Sequence, residues 1–188
     1  MYSDSSRRLK REELVLACDS PYNCSNIGPI NGDMYFWTAT LRGPDNTPYE
    51  GGYFDLQMRF DKNYPFVPPK VKLITKIYHP NISDSGKICL DILQSQWSPA
   101  LTISQTLSSI SCLLSSPNPH SKTSRVEMSY LYKNDKSTYI KNVGIWTKKY
   151  ASLHNHNQYM KSLPFLHAHI RHSKRIKQTF DEKIKLTV

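Results

Sequence analysis

Cys89 stands eight residues after Asn81 and ten after His79, in the run Tyr78-His79-Pro80-Asn81-Ile82-Ser83-Asp84-Ser85-Gly86-Lys87-Ile88-Cys89-Leu90-Asp91. A thiolate attacks an acyl carbon well and also leaves it well, so one exposed cysteine suits a carrier that accepts an acyl group and passes it on. A hydrolytic cysteine enzyme needs an imidazole base beside its sulfur. Here the nearby His79 is followed at once by Pro80, which pins the local backbone. That arrangement favours acyl transfer over hydrolysis. Gly86 supplies a turn between Asn81 and Cys89, letting the chain fold back so that the Asn81 amide faces the sulfur and donates to the oxyanion of a tetrahedral intermediate. The same residue types also serve as an inert buried thiol and a turn-capping asparagine.

The elements that must position these residues show in the hydrophobic periodicity. Phe54, Leu56, Met58 and Phe60 alternate with Asp55, Gln57 and Arg59, the period of a strand with one polar face. Tyr35, Trp37, Ala39 and Leu41 repeat that pattern, as do Val71 and Leu73 against Lys70 and Lys72. Short Pro/Gly/Asn-rich connections make an antiparallel meander the economical topology. After Cys89 the period changes to that of helices. Ile103, Leu107, Ile110 and Leu114 form one stripe, capped by Thr102 and stopped by Pro117; Tyr139, Val143, Trp146 and Tyr150 form another behind Asn134. A further helix is expected to begin near Ser5 or Ser6. Periodicity assigns Trp37, Tyr139 and Trp146 to the core, whereas Trp97 and Phe66, in Pro/Ser-containing loops, read as anchors for a partner.

The chain has 188 residues and 38% hydrophobic content, enough for one core. Its four cysteines, at 18, 24, 89 and 112, have neither paired nor zinc-ligand spacing, and no apolar run suggests a leader or a membrane span. The expectation is a reducing compartment, cytoplasmic or nuclear, with no metal and no membrane partner.

Residues 7 to 150 resemble ubiquitin-conjugating enzymes, closest to the small single-domain subgroup that serves RING ligases. The resemblance rests on His79-Pro80-Asn81 ahead of Cys89-Leu90-Asp91, preceded by Gly43-Pro44, Tyr49-Glu50-Gly51-Gly52-Tyr53-Phe54 and Tyr64-Pro65-Phe66-Val67-Pro68-Pro69-Lys70-Val71, and followed by Gln96-Trp97-Ser98-Pro99-Ala100-Leu101-Thr102-Ile103. It implies an α+β fold: a four-stranded antiparallel meander with an N-terminal helix and C-terminal helices. It also implies that Cys89 carries ubiquitin as a thioester received from the activating enzyme, ATP being spent upstream and no cofactor bound. Transfer to a substrate lysine then uses a RING or U-box ligase, or passes through a HECT-type ligase cysteine. Within that resemblance Asn81 and Cys89 are catalytic, His79, Leu90, Asp91, Asn118 and Ser121 support the site, and Arg7, Arg8, Arg11, Phe66, Ser98, Pro99 and Ala100 form the ligase-binding surface. Without the resemblance, the three arginines read equally as a solvated helix face. Ser25 matches the position that contacts a second ubiquitin non-covalently, in a loop one residue longer than the family's.

Two departures stand out. Where the subgroup has Asp-Pro-Asn-Pro-Asp-Asp-Pro-Leu, this chain reads Ser116-Pro117-Asn118-Pro119-His120-Ser121-Lys122-Thr123, so both acids bordering the incoming lysine are replaced. Slower discharge to lysine is expected, and a phosphate on Ser121 would restore the negative charge. Val67 replaces a common Lys, which is expected to alter ligase preference.

Residues 151–188 lie beyond the resemblance. They hold seven Lys or Arg against Asp181 and Glu182, a net +5, together with five of the seven histidines. A mostly disordered basic extension is expected, with room for a helix from Leu166 to Phe180 and with nucleic acid or an acidic protein face as partners. Two other uses of the scaffold stay open: a catalytically weak or inactive binding module, and a carrier of a different ubiquitin-like modifier.

Overall fold

The alternating segments pair as one meander. The computed structural model describes residues 4–121 and 125–163, with β1 at Cys24–Ile30, β2 at Asp33–Arg42, β3 at Tyr53–Arg59 and β4 at Lys70–Leu73. These strands form a single antiparallel sheet in the order β1-β2-β3-β4. The β2–β3 register sets Trp37 opposite Met58, Ala39 opposite Leu56 and Leu41 opposite Phe54, and all six side chains are 0% exposed. Burying each large apolar side chain contributes about 1.5–3 kcal/mol, so this inner face supplies much of the drive to fold.

Helices close that core. α1 (Asp4–Cys18) contributes Leu9 and Leu16; α2 (Ile103–Ser115) buries Ile103, Leu107, Ile110 and Leu114, the stripe read from the sequence. Thr102 caps α2 through a complete capping box with Gln105. α4 (Lys136–Tyr150) buries Tyr139 and Val143, with Trp146 half-buried against Tyr78. Its N-cap is Asp135, since Asn134 ends a separate helix, α3 (Val126–Asn134), which the sequence pattern did not reveal because its apolar stripe is thin. β1 was equally hidden: Cys-Ser-Asn-Ile-Gly-Pro-Ile has no alternation, and it survives as an edge strand with a bulge between Ser25 and Gly28. That bulge places one more residue on β1 than on β2, with Asn26 left-handed at φ 53°.

The extension expected to be mostly disordered opens with a packed segment, residues 151–163. They run as α5 (Leu153–Ser162), capped by Ser152, and lie on the outer face of the sheet. The Tyr53 amide donates to the Ala151 carbonyl (2.8 Å), fixing the helix's approach. His156 Nδ1 lies 2.8 and 3.1 Å from the two Asp55 carboxylate oxygens, and Thr40 Oγ1 donates to the same carboxylate at 2.8 Å. Tyr53 stacks on the imidazole, with ring centroids 5.0 Å apart. Met160 and Leu163 meet Ile30, Phe36 and Tyr159 in a small second core. Under this helix Thr38 and Thr40 are fully buried although they belong to the polar side of β2. The net charge assigned to the extension lies largely past Leu163; that part, including the helix expected over Leu166 to Phe180 and the anion-binding arm, falls outside the described residues.

Candidate functional site

Residues 79–91 form a tight hairpin-like loop whose turn requires glycine. Gly86 sits at φ 83°, and a Cβ there would lie 1.9 Å from the Leu73 carbonyl oxygen. The Gly86 carbonyl accepts from the Leu73 amide (2.8 Å), Ile82 bridges Ile88, and the Cys89 amide donates to the Asn81 carbonyl at 2.8 Å. The fold-back inferred from the spacing of Asn81 and Cys89 is therefore present.

His79 is fully buried and committed to structure. Its Nδ1 accepts from the Asn81 amide (3.0 Å) while Nε2 donates to the Leu113 carbonyl (3.0 Å), and burial pulls its pKa down to about 4. The imidazole stays neutral and faces away from proton transfer.

Asn81 has a structural task as well. Its Nδ2 donates to the Asn118 carbonyl (2.6 Å) and its Oδ1 accepts from the Asn118 amide (2.8 Å). These two bonds pin the loop at residues 116–121 to the hairpin through the buried amide and occupy one of its two Nδ2 hydrogens. Across that clamp, Ser121 Oγ lies 3.2 Å from Cys89 Sγ. Gln94 Nε2 lies 4.0 Å from the same sulfur, a neighbour that the motif did not flag. Cys89 itself is half-buried. Leu90 packs on the core and precedes a 3₁₀ turn at Asp91–Leu93, where Asp91 Oδ1 accepts from the Ile92 amide (2.8 Å). Asn118 Oδ1 accepts from the His120 amide (3.1 Å), and the exposed His120 ring accepts from Lys133 Nζ at 3.2 Å. Of the other cysteines, Cys24 is buried, and that burial pushes its thiol up to about 12.

The residues assigned to ligase binding meet at one end of the molecule. Phe66 is 77% exposed on the loop after Tyr64, and Ser98, Pro99 and Ala100 are exposed on the neighbouring loop. Arg8 Nη2 donates to the Leu101 carbonyl (3.0 Å), tying α1 to that loop, and Arg11 and Ala100 line the same shallow groove. Arg7 pairs with Asp4, both exposed. Trp97, read as an anchor, is instead a strut: half-buried, its Nε1 donates to the Pro65 carbonyl at 2.7 Å. Glu12 was missed altogether. This buried carboxylate accepts from Arg8 Nε (2.5 Å), Tyr64 OH (2.7 Å) and the first amide of α2 at Ile103 (2.6 Å), joining three segments. An acid set between Leu9 and Leu16 in the apolar stripe of α1 was the available signal. Ser25 lies apart from both sites, exposed on β1 opposite Thr40.

No helix among the described residues is long and apolar enough to cross a membrane. No group of three His, Cys, Asp or Glu among the described residues is arranged to hold a metal. The family model described as ubiquitin-conjugating enzyme matches residues 8–147, spanning the hairpin, the loop at 116–121 and the Phe66 end, and the chain belongs to that family.

Proposed function

We propose that Cys89 is the ubiquitin-accepting cysteine of this protein and that the chain transfers ubiquitin to substrate lysines with a RING or U-box ligase. Family membership places the chain in ubiquitin conjugation, a transferase pathway whose partners in general are ubiquitin, its activating enzyme and ligases. The observation that supports Cys89 is its display on a hairpin whose backbone is pinned by Asn81, while His79, the imidazole of the same motif, is buried and engaged.

Cys89 Sγ attacks the carbonyl of the activating enzyme's ubiquitin thioester, and that enzyme's cysteine leaves as the new C–S bond forms. A lysine amine then attacks the Cys89 thioester; the amide bond forms, the C–S bond breaks and Cys89 recovers its thiol. With a HECT-type ligase the acceptor is a cysteine instead. Asn81 acts through Asn118 as a positioning residue, and Leu90 and Asp91 form the floor. Because Ser121 is uncharged where a carboxylate would favour the incoming amine, lysine discharge is slow relative to charging.

Incubation with activating enzyme, ubiquitin and ATP is expected to give an adduct on a non-reducing gel that dithiothreitol removes and Cys89→Ala abolishes. The absence of any adduct, while another conjugating enzyme charges under the same conditions, would overturn the proposal and favour a binding scaffold or another modifier.

A further inference from the structure

Ser121 brings a second nucleophile to the sulfur. Its Oγ lies 3.2 Å from Cys89 Sγ, and both side chains are half-buried, which restricts the access of bulk water to the pair. The contact is held from behind. The Ser121 amide donates to the Asn118 carbonyl (3.4 Å), and Asn118 is tied to the hairpin by the two Asn81 bonds, at 2.6 and 2.8 Å. Asn81 is itself buried, so the hydroxyl and the thiol belong to one fixed frame although they stand 32 residues apart in sequence. Gln94 Nε2 lies 4.0 Å from the same sulfur.

We propose that ubiquitin held on Cys89 passes, when no acceptor arrives, to the Ser121 hydroxyl, so that the enzyme stores it as a self-formed oxyester. This step rests on the role proposed for Cys89. Ser121 Oγ attacks the carbonyl carbon of the thioester; the C–O bond forms, the C–S bond breaks and the hydroxyl proton passes to Sγ, so no further reactant is consumed. An acyl carbon bonded to Sγ lies one bond from an atom that Oγ already touches. Near-attack pairs stand about 3–3.5 Å apart, and two groups on one frame react with the advantage of an intramolecular step. Gln94 Nε2 is placed to donate to the carbonyl oxygen as it gains charge. The residue type at position 121 decides the outcome: a carboxylate there would hold the acyl group only as a reactive anhydride, whereas serine holds it as an ester. That ester is a weaker electrophile than the thioester toward amines and added thiols. Slow lysine discharge leaves time for the shift, and attack by the neighbouring Cys89 thiolate reverses it.

The test charges the full chain with activating enzyme, ubiquitin and ATP, stops charging with EDTA and follows the adduct without ligase or free lysine. Each time point is treated with dithiothreitol alone or with dithiothreitol followed by hydroxylamine. The freshly formed adduct is expected to be removed by dithiothreitol. As it ages, a fraction that resists dithiothreitol but yields to hydroxylamine should grow in its place, with the Gly-Gly remnant of ubiquitin mapped to Ser121 by mass spectrometry. Ser121→Ala should lose that fraction, and Ser121→Thr, which keeps a more hindered hydroxyl, should form it several-fold more slowly. The mapping in the parent protein decides the matter even where a variant folds poorly. An adduct that dithiothreitol removes completely at every time would overturn the inference and leave the hydroxyl as a hydrogen-bonding neighbour of the sulfur. So would a resistant adduct that survives hydroxylamine, which marks an amide on lysine, or a labile one that persists in Ser121→Ala. The absence of any adduct at the first time point would instead remove the role of Cys89, and this storage step with it.

Discussion

The hairpin that carries Cys89 and the sheet face beneath α5 are both rich in polar residues, yet they use them in opposite ways. Under α5 the polar groups are consumed within the chain: Asp55 is shared by His156 and Thr40, and Tyr159 OH meets Thr38 Oγ1 at 3.2 Å and Gln57 Nε2 at 3.4 Å. Around the sulfur the backbone is fixed as firmly, but the side chains near Sγ include a hydroxyl and a primary amide of described residues, Ser121 and Gln94. A region that must stay closed satisfies its buried charges internally, while a region that must receive partners fixes only its frame.

The closed face is where removing one side chain costs most. His156→Ala leaves Asp55 buried without its imidazole, an expected loss of about 3 kcal/mol that frees α5. Hydrogen exchange would show the amides of residues 153–162 losing protection while those of β2 and β3 keep theirs; unchanged protection would mean that the pair does not hold the helix. Burial pushes the Asp55 carboxyl up, with Thr40 and His156 opposing. The folded state therefore binds this proton more tightly than the unfolded chain. Its contribution is present in full below the unfolded carboxylate range and is lost as pH rises through the raised folded value. Mild acidification from neutral pH is accordingly expected to preserve or strengthen α5 docking, and faster exchange of α5 at pH 5 than at pH 7 would reverse that sign.

At the open end the largest effect belongs to the clamp. Asn81→Ala removes two hydrogen bonds to the buried frame, about 2 kcal/mol. If Asn81 is a strut, the amides of residues 118–121 should exchange faster and lysine discharge should fall in parallel. A fall in discharge with unchanged exchange would restore the oxyanion role that its type and spacing suggested. Smaller still is the effect of charge at the border: Ser121→Asp is expected to raise discharge to free lysine up to about tenfold, equivalent to about 1.4 kcal/mol, and equal rates would show that a carboxylate there is irrelevant in this chain.

What the sequence disclosed and what it hid divide along the same line. Strict alternation disclosed β2, β3 and β4, and regular stripes disclosed α2 and α4, because burial on one face imposes a period. β1 and α3 were hidden, one by a bulge and the other by a thin apolar stripe. The location of Cys89 and its fold-back onto Asn81 followed from glycine placement, but the direction of the Asn81 amide depends on the loop at 116–121, which lies 37 residues away in sequence. α5 escaped for a related reason. His154, His156 and Lys161 belong to a tail rich in charge, and only the three-dimensional placement of Asp55 under His156 turns part of it into packed structure.

The central claim, that Cys89 alone carries ubiquitin, is tested most directly by charging the protein, alkylating its remaining thiols under denaturing conditions at low pH, cleaving the thioester and mapping by mass spectrometry which cysteine stayed unmodified. Protection of Cys89, with Cys18, Cys24 and Cys112 fully alkylated, is the predicted result. Protection of the exposed Cys112, or alkylation of all four in a preparation that shows the adduct, would contradict it.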